Sequence, residues 1–231
     1  MKGWSISSCI LLIGFSAVEA GAERTDKGLL VLYDFASAEG SLVKDRSGAG
    51  RPINLRITQM QGVKRSKGQL EIRGKTLVRS EQPATRVAEA IQRSGALSVE
   101  AWIEPFTRNL SGPARIVSLS GNTTQRNFTL GQDGDAYDCR LRTSRTSNNG
   151  LPSLASRKQS LVPRLTHVVY TRDRDGKARI YLDGKQNAAR DVGGDLKNWD
   201  KGFHLALANE HTSDRPWQGR YHLVALYSRS L

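Results

Sequence analysis

The stretch that most constrains the fold is residues 166–184, which read THVVYTRDRDGKARIYLDG. A period of two runs through the residues on both sides of Asp175-Gly176, and that period is typical of β-strands. Because aspartate and glycine tolerate positive φ, this pair predicts a tight turn between two strands of a β-hairpin. A second such pair, Asp183-Gly184, follows the second strand and turns the chain again. Two turns in succession predict an antiparallel meander.

Other segments extend the same pattern and add one helix. Residues 53–57 alternate cleanly, and residues 96–104 place Val99, Ala101 and Ile103 on one face of a strand. Residues 81–94 have helical periodicity, and the glycine that follows them is a natural helix stop. The sequence therefore predicts an all-β fold with one short helix.

Several ordered motifs carry a family resemblance. They are LYDF at 32–35 with DRSG at 45–48, LSVEAW at 97–102, FTLG at 128–131, the hairpin with its IYLDG ending, and PWQG at 216–219. In this order, over residues 29–231, the set resembles the laminin-G-like domains of the concanavalin A-like lectin/glucanase superfamily. The resemblance implies a two-sheet antiparallel jelly-roll sandwich, and usually a binding module rather than an enzyme. It also implies that Trp102 and Trp217 lie in the core.

The first twenty residues have the pattern of a secretory signal peptide. Lys2 precedes the apolar run at residues 9–15, and small residues lead to a cleavage site after Ala20. The apolar run is too short to span a membrane, and no second hydrophobic segment follows. We therefore expect a signal peptide at residues 1–20, one domain at residues 21–231, a secreted or periplasmic location, and no membrane span.

The charge balance is unusual for a binding domain. The chain carries 35 Lys+Arg against 22 Asp+Glu, a formal net charge of +13 and a pI of about 10.1. The positive electrostatic field of such a protein favours an anionic partner. The alternative is that the excess arginine only keeps the protein soluble. Acidic polysaccharide is the favoured partner. Nucleic acid is the lesser option, because the basic residues are spread along the chain and no nucleic-acid motif occurs.

The residues best suited to bind a glycan lie around residues 137–149. Arg140 and Arg142 are predicted on one strand face, where they would give bidentate contacts to carboxylate or sulfate. Asn148 and Asn149 in the adjoining loop would hydrogen-bond sugar hydroxyls. A sugar ring would stack on an exposed aromatic, with Trp199 in a polar loop as the first candidate and Tyr137 as the next.

Calcium is an open option for this chain, because relatives of the resembled family often bind it through carboxylates at the rim. The candidate ligands are Asp133, Asp135 and Asp138. The run does not complete an Asp-rich loop with its distant glutamate, and aspartate-glycine pairs also form turns, which is the preferred interpretation.

Catalysis is not expected from the residues present. A retaining glucanase needs two carboxylates about 5.5 Å apart, whereas Glu100 and Glu104 share a strand face about 13 Å apart with Trp102 between them. A polysaccharide lyase needs a base and a cationic group, and His167 and Arg140 have that chemistry, but the jelly-roll lyase motifs are absent. Besides non-catalytic glycan recognition, a protein-interaction or envelope-scaffolding domain stays open, because a fold alone does not decide function.

Overall fold

The computed structural model describes residues 25–231. The predicted signal peptide at residues 1–20 lies outside this range. The described chain consists of sixteen β-strands, one α-helix and one 3-10 turn at Met60–Gly62. Within residues 25–231, no helix has the length and apolar character needed to cross a membrane.

The strands form two antiparallel sheets of eight strands each, which confirms the predicted sandwich. The first sheet, called sheet A, contains β1 (Leu29–Tyr33), β4 (Val63–Ser66), β5 (Gln69–Ile72), β7 (Leu97–Pro105), β12 (Thr166–Arg172), β13 (Lys177–Leu182), β14 (Lys185–Asp191) and β16 (Gly219–Tyr227). Its order is β14-β13-β12-β7-β16-β5-β4, and β1 also pairs with β16.

The second sheet, called sheet B, contains β2 (Leu42–Val43), β3 (Leu55–Ile57), β6 (Val78–Ser80), β8 (Leu110–Ser120), β9 (Arg126–Gly134), β10 (Ala136–Leu141), β11 (Leu154–Ala155) and β15 (His204–Leu207). Its order is β11-β10-β9-β8-β15-β6-β3-β2. Many of the neighbours in both sheets are distant in sequence, so the chain crosses repeatedly between the sheets.

The organising hairpin is present as predicted. Strands β12 and β13 pair antiparallel from Val168 opposite Leu182 to Arg172 opposite Ala178. Gly176 in the connecting turn has a φ of 92°, a backbone conformation that favours glycine. The turn conformation therefore agrees with the hairpin that the sequence predicts.

The core lies between the inner faces of the two sheets. Val99, Ala101 and Ile103 of β7 are fully buried there, as their alternation predicts. Trp217 is also fully buried, which confirms its predicted core position, and its ring centroid lies 4.7 Å from that of Tyr221. The core is thus built from one face of each strand, which leaves the opposite face of each sheet for other contacts.

Helix α1 (Thr85–Ser94) begins four residues later than the predicted start at residue 81. Its buried residues are Val87, Ala88 and Ile91. It ends at Gly95, whose left-handed φ of 67° lets its N–H bond the Ile91 carbonyl, so the predicted stop is confirmed.

The entry to β16 is tightly packed around Gly219. A Cβ at this position would overlap the Trp217 ring and the Glu104 backbone oxygen. We expect Gly219→Ala to lower the free energy of unfolding by about 1–3 kcal/mol, because neither the core ring nor the strand backbone can move freely. Urea denaturation measures the change. Gly202→Ala is also at a glycine without positive φ, and its Cβ would meet only the Asp200 carboxylate oxygen at 3.2 Å, so a smaller loss there is the matched comparison.

Candidate functional site

Arg140 lies on the outer face of sheet B, opposite the inward-facing Cys139 and Leu141, as predicted. Its Nε donates to Asp138 Oδ2 at 2.9 Å, and its Nη1 donates to Asn149 Oδ1 at 3.3 Å. The structure thus brings two of the predicted ligand-binding residues, Arg140 and Asn149, into direct contact. The same contact uses Asp138, one of the predicted calcium ligands.

Arg142 follows the last residue of β10 and continues its ladder, since its N–H donates to the Asn127 carbonyl at 2.9 Å. Its side chain is half-buried, and its Nε is buried with no hydrogen-bond partner among residues 25–231. Asn148 is exposed, and its carbonyl accepts the Arg126 N–H at 3.1 Å. The loop that carries the two asparagines therefore lies beside the start of β9.

The predicted exposure of Tyr137 and Trp199 is wrong. Tyr137 is fully buried on the inner face of β10, and burial raises the pKa of its hydroxyl. Trp199 is 4% exposed, packs 6.1 Å from the Phe128 ring and donates its indole N–H to the Arg142 carbonyl at 2.7 Å. Its polar sequence neighbours face solvent while the ring fills the edge of the core, so neither ring can stack on a sugar.

The three aspartates of the calcium hypothesis do not converge. Asp133 and Asp135 lie at the turn between β9 and β10, whereas Asp138 stands opposite Gly131 and is bound by Arg140. Within the part of the chain that the structure describes, no group of three or more His, Cys, Asp or Glu side chains could hold a metal ion. These residues therefore do not fit a shared calcium site, and the turn interpretation accounts for Asp133 and Asp135.

A set of exposed and half-buried side chains that the sequence analysis did not select as a binding site lies on the outer face of sheet A. The even-numbered residues of β7 point outward there, because the odd-numbered ones fill the core. Trp102 is 36% exposed, so its predicted burial is wrong, and Phe106 just beyond the strand is equally exposed. We call Trp102, Glu104, Phe106, His167 and Arg220 the aromatic strip.

His167 holds the Trp102 ring in place. The two residues are paired across β12 and β7, and their rings stack with centroids 4.4 Å apart and an interplanar angle of 15°. The His167 Nε2 lies 3.0 Å from Glu100 Oε1, and Glu100 Oε2 accepts the Tyr227 hydroxyl at 3.0 Å. Since Glu100 is itself anchored by a buried tyrosine, the indole is supported on a rigid base with its other side facing solvent.

Arg220 organises the opposite end of the strip. Its guanidinium carbon lies 5.0 Å from the Phe106 ring centroid, in cation–π geometry. It donates to Glu104 Oε2 at 2.8 Å and to Glu71 Oε2 at 3.0 Å, and Arg73 also pairs with Glu71. Hydrogen bonds from Arg220 and then Arg73 lower the pKa of Glu71, and those from Glu104 and Glu71 raise the pKa of Arg220. The network fixes polar groups beside an exposed ring.

His222 adds an unsatisfied polar atom near this network. It occupies the irregularity in β16 between Tyr221 and Leu223, where Glu104 and Arg220 act on it electrostatically. Its Nε2 is buried and has no hydrogen-bond partner within residues 25–231, and burial lowers the pKa of the ring. A buried nitrogen without a partner is exceptional in a folded protein.

The alternation of residues 99–104 could have identified this face, because it already places Trp102 beside Glu100 and Glu104. The assignment of Trp102 to the core came from the family position and overruled that pattern. Phe106 and Arg220 had no such signal. Arg220 lies 116 residues from Glu104 in sequence, and only the pairing of β16 with β7 brings them together.

A wide groove of about 690 Å³ lies elsewhere, between the loop at residues 51–54 and the start of α1. Arg86 lines this groove, and its guanidinium already donates to Asp45 Oδ2 at 2.8 Å and to the Leu30 carbonyl at 2.6 Å. Asp45 in turn accepts N–H groups of its own loop, including that of Ser47 at 3.0 Å. Arg86 therefore ties the loop to the helix.

Comparison with known proteins agrees with the fold. A laminin-G model described as belonging to the concanavalin A-like lectin/glucanases superfamily matches residues 80–231. No curated protein sequence matches the chain significantly.

Solved structures match over most of this chain at low identity. The binding domain of botulinum neurotoxin DC in complex with rat synaptotagmin II has a TM-score of 0.63 and 14% identity, with 90% of this chain and 50% of that chain covered. A botulinum neurotoxin type C structure has a TM-score of 0.61 and 15% identity, covering 89% and 49%. A Trypanosoma rangeli sialidase has a TM-score of 0.61 and 16% identity, covering 88% and 31%. The chain therefore spans half or less of these proteins, and the likeness concerns the fold alone.

Proposed function

Because the chain belongs to the concanavalin A-like lectin/glucanase superfamily, with a laminin-G domain, we propose that it is a non-catalytic carbohydrate-recognition module. The glycan lies across the aromatic strip on the outer face of sheet A. The observation that carries this proposal is the exposed Trp102 ring, which is backed by His167 at 4.4 Å.

An exposed tryptophan held flat is well suited to a sugar ring. The apolar face of a pyranose packs against an aromatic plane, and a ring fixed beforehand loses little conformational freedom on binding. Phe106 offers a second aromatic surface about 13 Å further along the same face, at about 3.3 Å per residue. Two such surfaces in line suit an extended glycan rather than a single sugar.

The polar groups of the strip suit sugar hydroxyls. Arg220 and Glu104 provide a fixed donor and acceptor between the two aromatic rings. Hydroxyl groups are both donors and acceptors, so a glycan can hydrogen-bond to the Arg220–Glu104 pair. This mixture of apolar rings and a few fixed polar groups is the usual chemistry of a ligand site.

Several features favour binding without catalysis. Glu100 is held by His167 and Tyr227, and Glu104 is held by Arg220, so neither carboxylate is free to act on a substrate. Trp102 occupies the strand position between them, where a glucanase would carry a further acid. The separation of about 13 Å also exceeds what a retaining or an inverting pair requires.

Export and a preference for acidic glycans are part of the proposal. The signal-peptide pattern of residues 1–20 supports export, and the net charge of +13 would raise the local concentration of polyanions at the protein surface. Two similar structures are described with such ligands: a botulinum neurotoxin type C that interacts with two ganglioside molecules, and a sialidase in complex with difluorosialic acid.

The proposal is tested by affinity electrophoresis of the purified protein through gels that contain neutral or acidic polysaccharides. We expect retardation in both kinds of gel, stronger with acidic glycans and reduced by salt in those gels only. Retardation that needs calcium would reopen the metal question. No retardation by any polysaccharide would contradict glycan recognition and favour the protein-interaction alternative.

A further inference from the structure

Three arginines meet on the outer face of sheet B, on the side of the sandwich opposite the aromatic strip. Arg115 on β8 stands opposite Gly131, and Arg140 on β10 stands opposite Thr129. The Nη1 of Arg126 donates to Thr129 Oγ1 at 3.1 Å, so Arg126 and Arg140 approach the same β9 residue. We call Arg115, Arg126 and Arg140 the arginine cluster.

Two carboxylates lie in the cluster, and both are already bound. Glu210 accepts from Arg115 Nε at 2.9 Å and from the Ser120 hydroxyl at 2.6 Å. Asp138 accepts from Arg140 Nε at 2.9 Å. Each of these two arginines therefore has its own acid.

Arg126 is left without an anion. It is fully buried, and its side-chain hydrogen bonds within residues 25–231 go to neutral oxygens, the Thr129 hydroxyl and the Thr123 carbonyl. Its Nε is buried and lacks any partner, and no carboxylate of residues 25–231 lies within ion-pair distance of it. A buried cation that is only partly hydrogen-bonded is costly unless a negative charge balances it.

The electrostatic effect on Arg126 agrees with this count. Burial, followed by the nearby charge of Arg115, lowers the pKa of Arg126 to about 9. The guanidinium still carries its charge at neutral pH, so the cluster holds three cations against two anions. A further anion beside Arg126 would restore the balance.

We infer that the arginine cluster is a binding site for an oxyanion, a carboxylate or a sulfate, which supplies the missing charge beside Arg126. The anion reaches the cluster past Arg140, whose side chain is 16% exposed, and past Arg142 and Asn149 at its rim. Arg142, one residue beyond β10, adds a second buried Nε that has no partner within residues 25–231. This site is independent of the aromatic strip, which lies on the other sheet.

The test is calorimetric titration of inorganic sulfate into the full protein, with sodium chloride adjusted to keep ionic strength constant. We expect saturable binding by the unaltered protein and about tenfold weaker binding by Arg126→Gln, because a charge-assisted hydrogen bond is lost. Arg142→Gln removes a cation at the rim that forms no ion pair with a carboxylate of the described residues. It should also bind sulfate more weakly, and it serves if Arg126→Gln does not fold.

The matched control is Arg56→Gln. Arg56 is an exposed arginine on the same face of sheet B, where it pairs with Glu81, and its replacement removes one charge far from the cluster. It should bind sulfate like the unaltered protein. A uronic-acid oligosaccharide in place of sulfate separates the two sources of the anion. If the oligosaccharide binds more tightly than sulfate, and this binding is lost in Arg126→Gln and Arg142→Gln, the anion is the acidic group of a glycan. If the two bind equally tightly, the site takes a free anion.

Two results would overturn the inference. One is the absence of saturable binding for both sulfate and the oligosaccharide. The other is binding of equal strength in the unaltered protein, Arg126→Gln and Arg142→Gln. Neither result bears on the aromatic strip, because retention by neutral polysaccharides depends on Trp102 and not on the arginine cluster.

Discussion

Replacement of Trp102 by alanine should weaken glycan binding by about 30-fold or more, because truncation of an aromatic anchor at the centre of a binding surface typically costs at least about 2 kcal/mol. The indole supplies the apolar plane for the sugar, and His167 behind it cannot replace that plane, since its ring is narrower and is held by Glu100. Affinity electrophoresis through neutral polysaccharide measures the loss without a contribution from charge.

Stability should change little in the same variant. Trp102 is 36% exposed, so truncation leaves no large cavity in the core. Trp102→Phe keeps an aromatic plane and should retain part of the binding, which distinguishes stacking from a general change at the surface. Leu151→Ala removes an apolar side chain of similar exposure from a loop next to sheet B and should bind normally. Unchanged retention of Trp102→Ala would exclude the aromatic strip as the glycan site.

Replacement of Glu210 by alanine should lower the free energy of unfolding by about 3–5 kcal/mol, since breaking a buried ion pair leaves its partner charged and unpaired. Arg115 is 1% exposed and Glu210 is fully buried. Burial lowers the pKa of Arg115, and the charge of Glu210 acts in the opposite direction. Removal of Glu210 also leaves the Ser120 hydroxyl without its 2.6 Å acceptor. Urea denaturation, monitored by circular dichroism, measures the loss.

A double-mutant cycle identifies the source of that loss. If the penalty comes from an orphaned guanidinium, Arg115→Met combined with Glu210→Ala should be more stable than Glu210→Ala alone, because the second change removes the unpaired charge. Glu81→Ala provides the comparison at an exposed ion pair, where about 0–1 kcal/mol is expected. A loss below about 1 kcal/mol in Glu210→Ala would mean that water reaches Arg115.

Local patterns in the sequence predicted the elements whose chemistry is local. The Asp-Gly turn set the β12–β13 hairpin, Gly95 ended the helix, and the alternation of Val99, Ala101 and Ile103 gave the inner face of β7. In each case the determining residues lie within a few positions of one another. The prediction that Arg140 faces away from Cys139 and Leu141 succeeded for the same reason.

The candidate sites depend on pairings that local patterns do not encode. Arg115 and Glu210 are 95 residues apart, and Arg220 and Glu71 are 149 residues apart. Trp199 shows the same difficulty, because its sequence neighbours are polar while Phe128 on β9 provides the surface that buries it. Which residues are exposed is thus decided by the order of strands in the sheets, which the sequence pattern alone did not supply.

The two outer faces of the sandwich have different chemistry, with aromatic rings on one and guanidinium groups on the other. A protein that binds ligands on both faces can bridge two polymer chains, one on each side of the sandwich. A polymer chain that carries many copies of its epitope would be bound by several protein molecules. The apparent affinity for such a chain would then exceed that of any single contact. In that arrangement the thickness of the sandwich would fix the spacing between the two polymer chains that it joins.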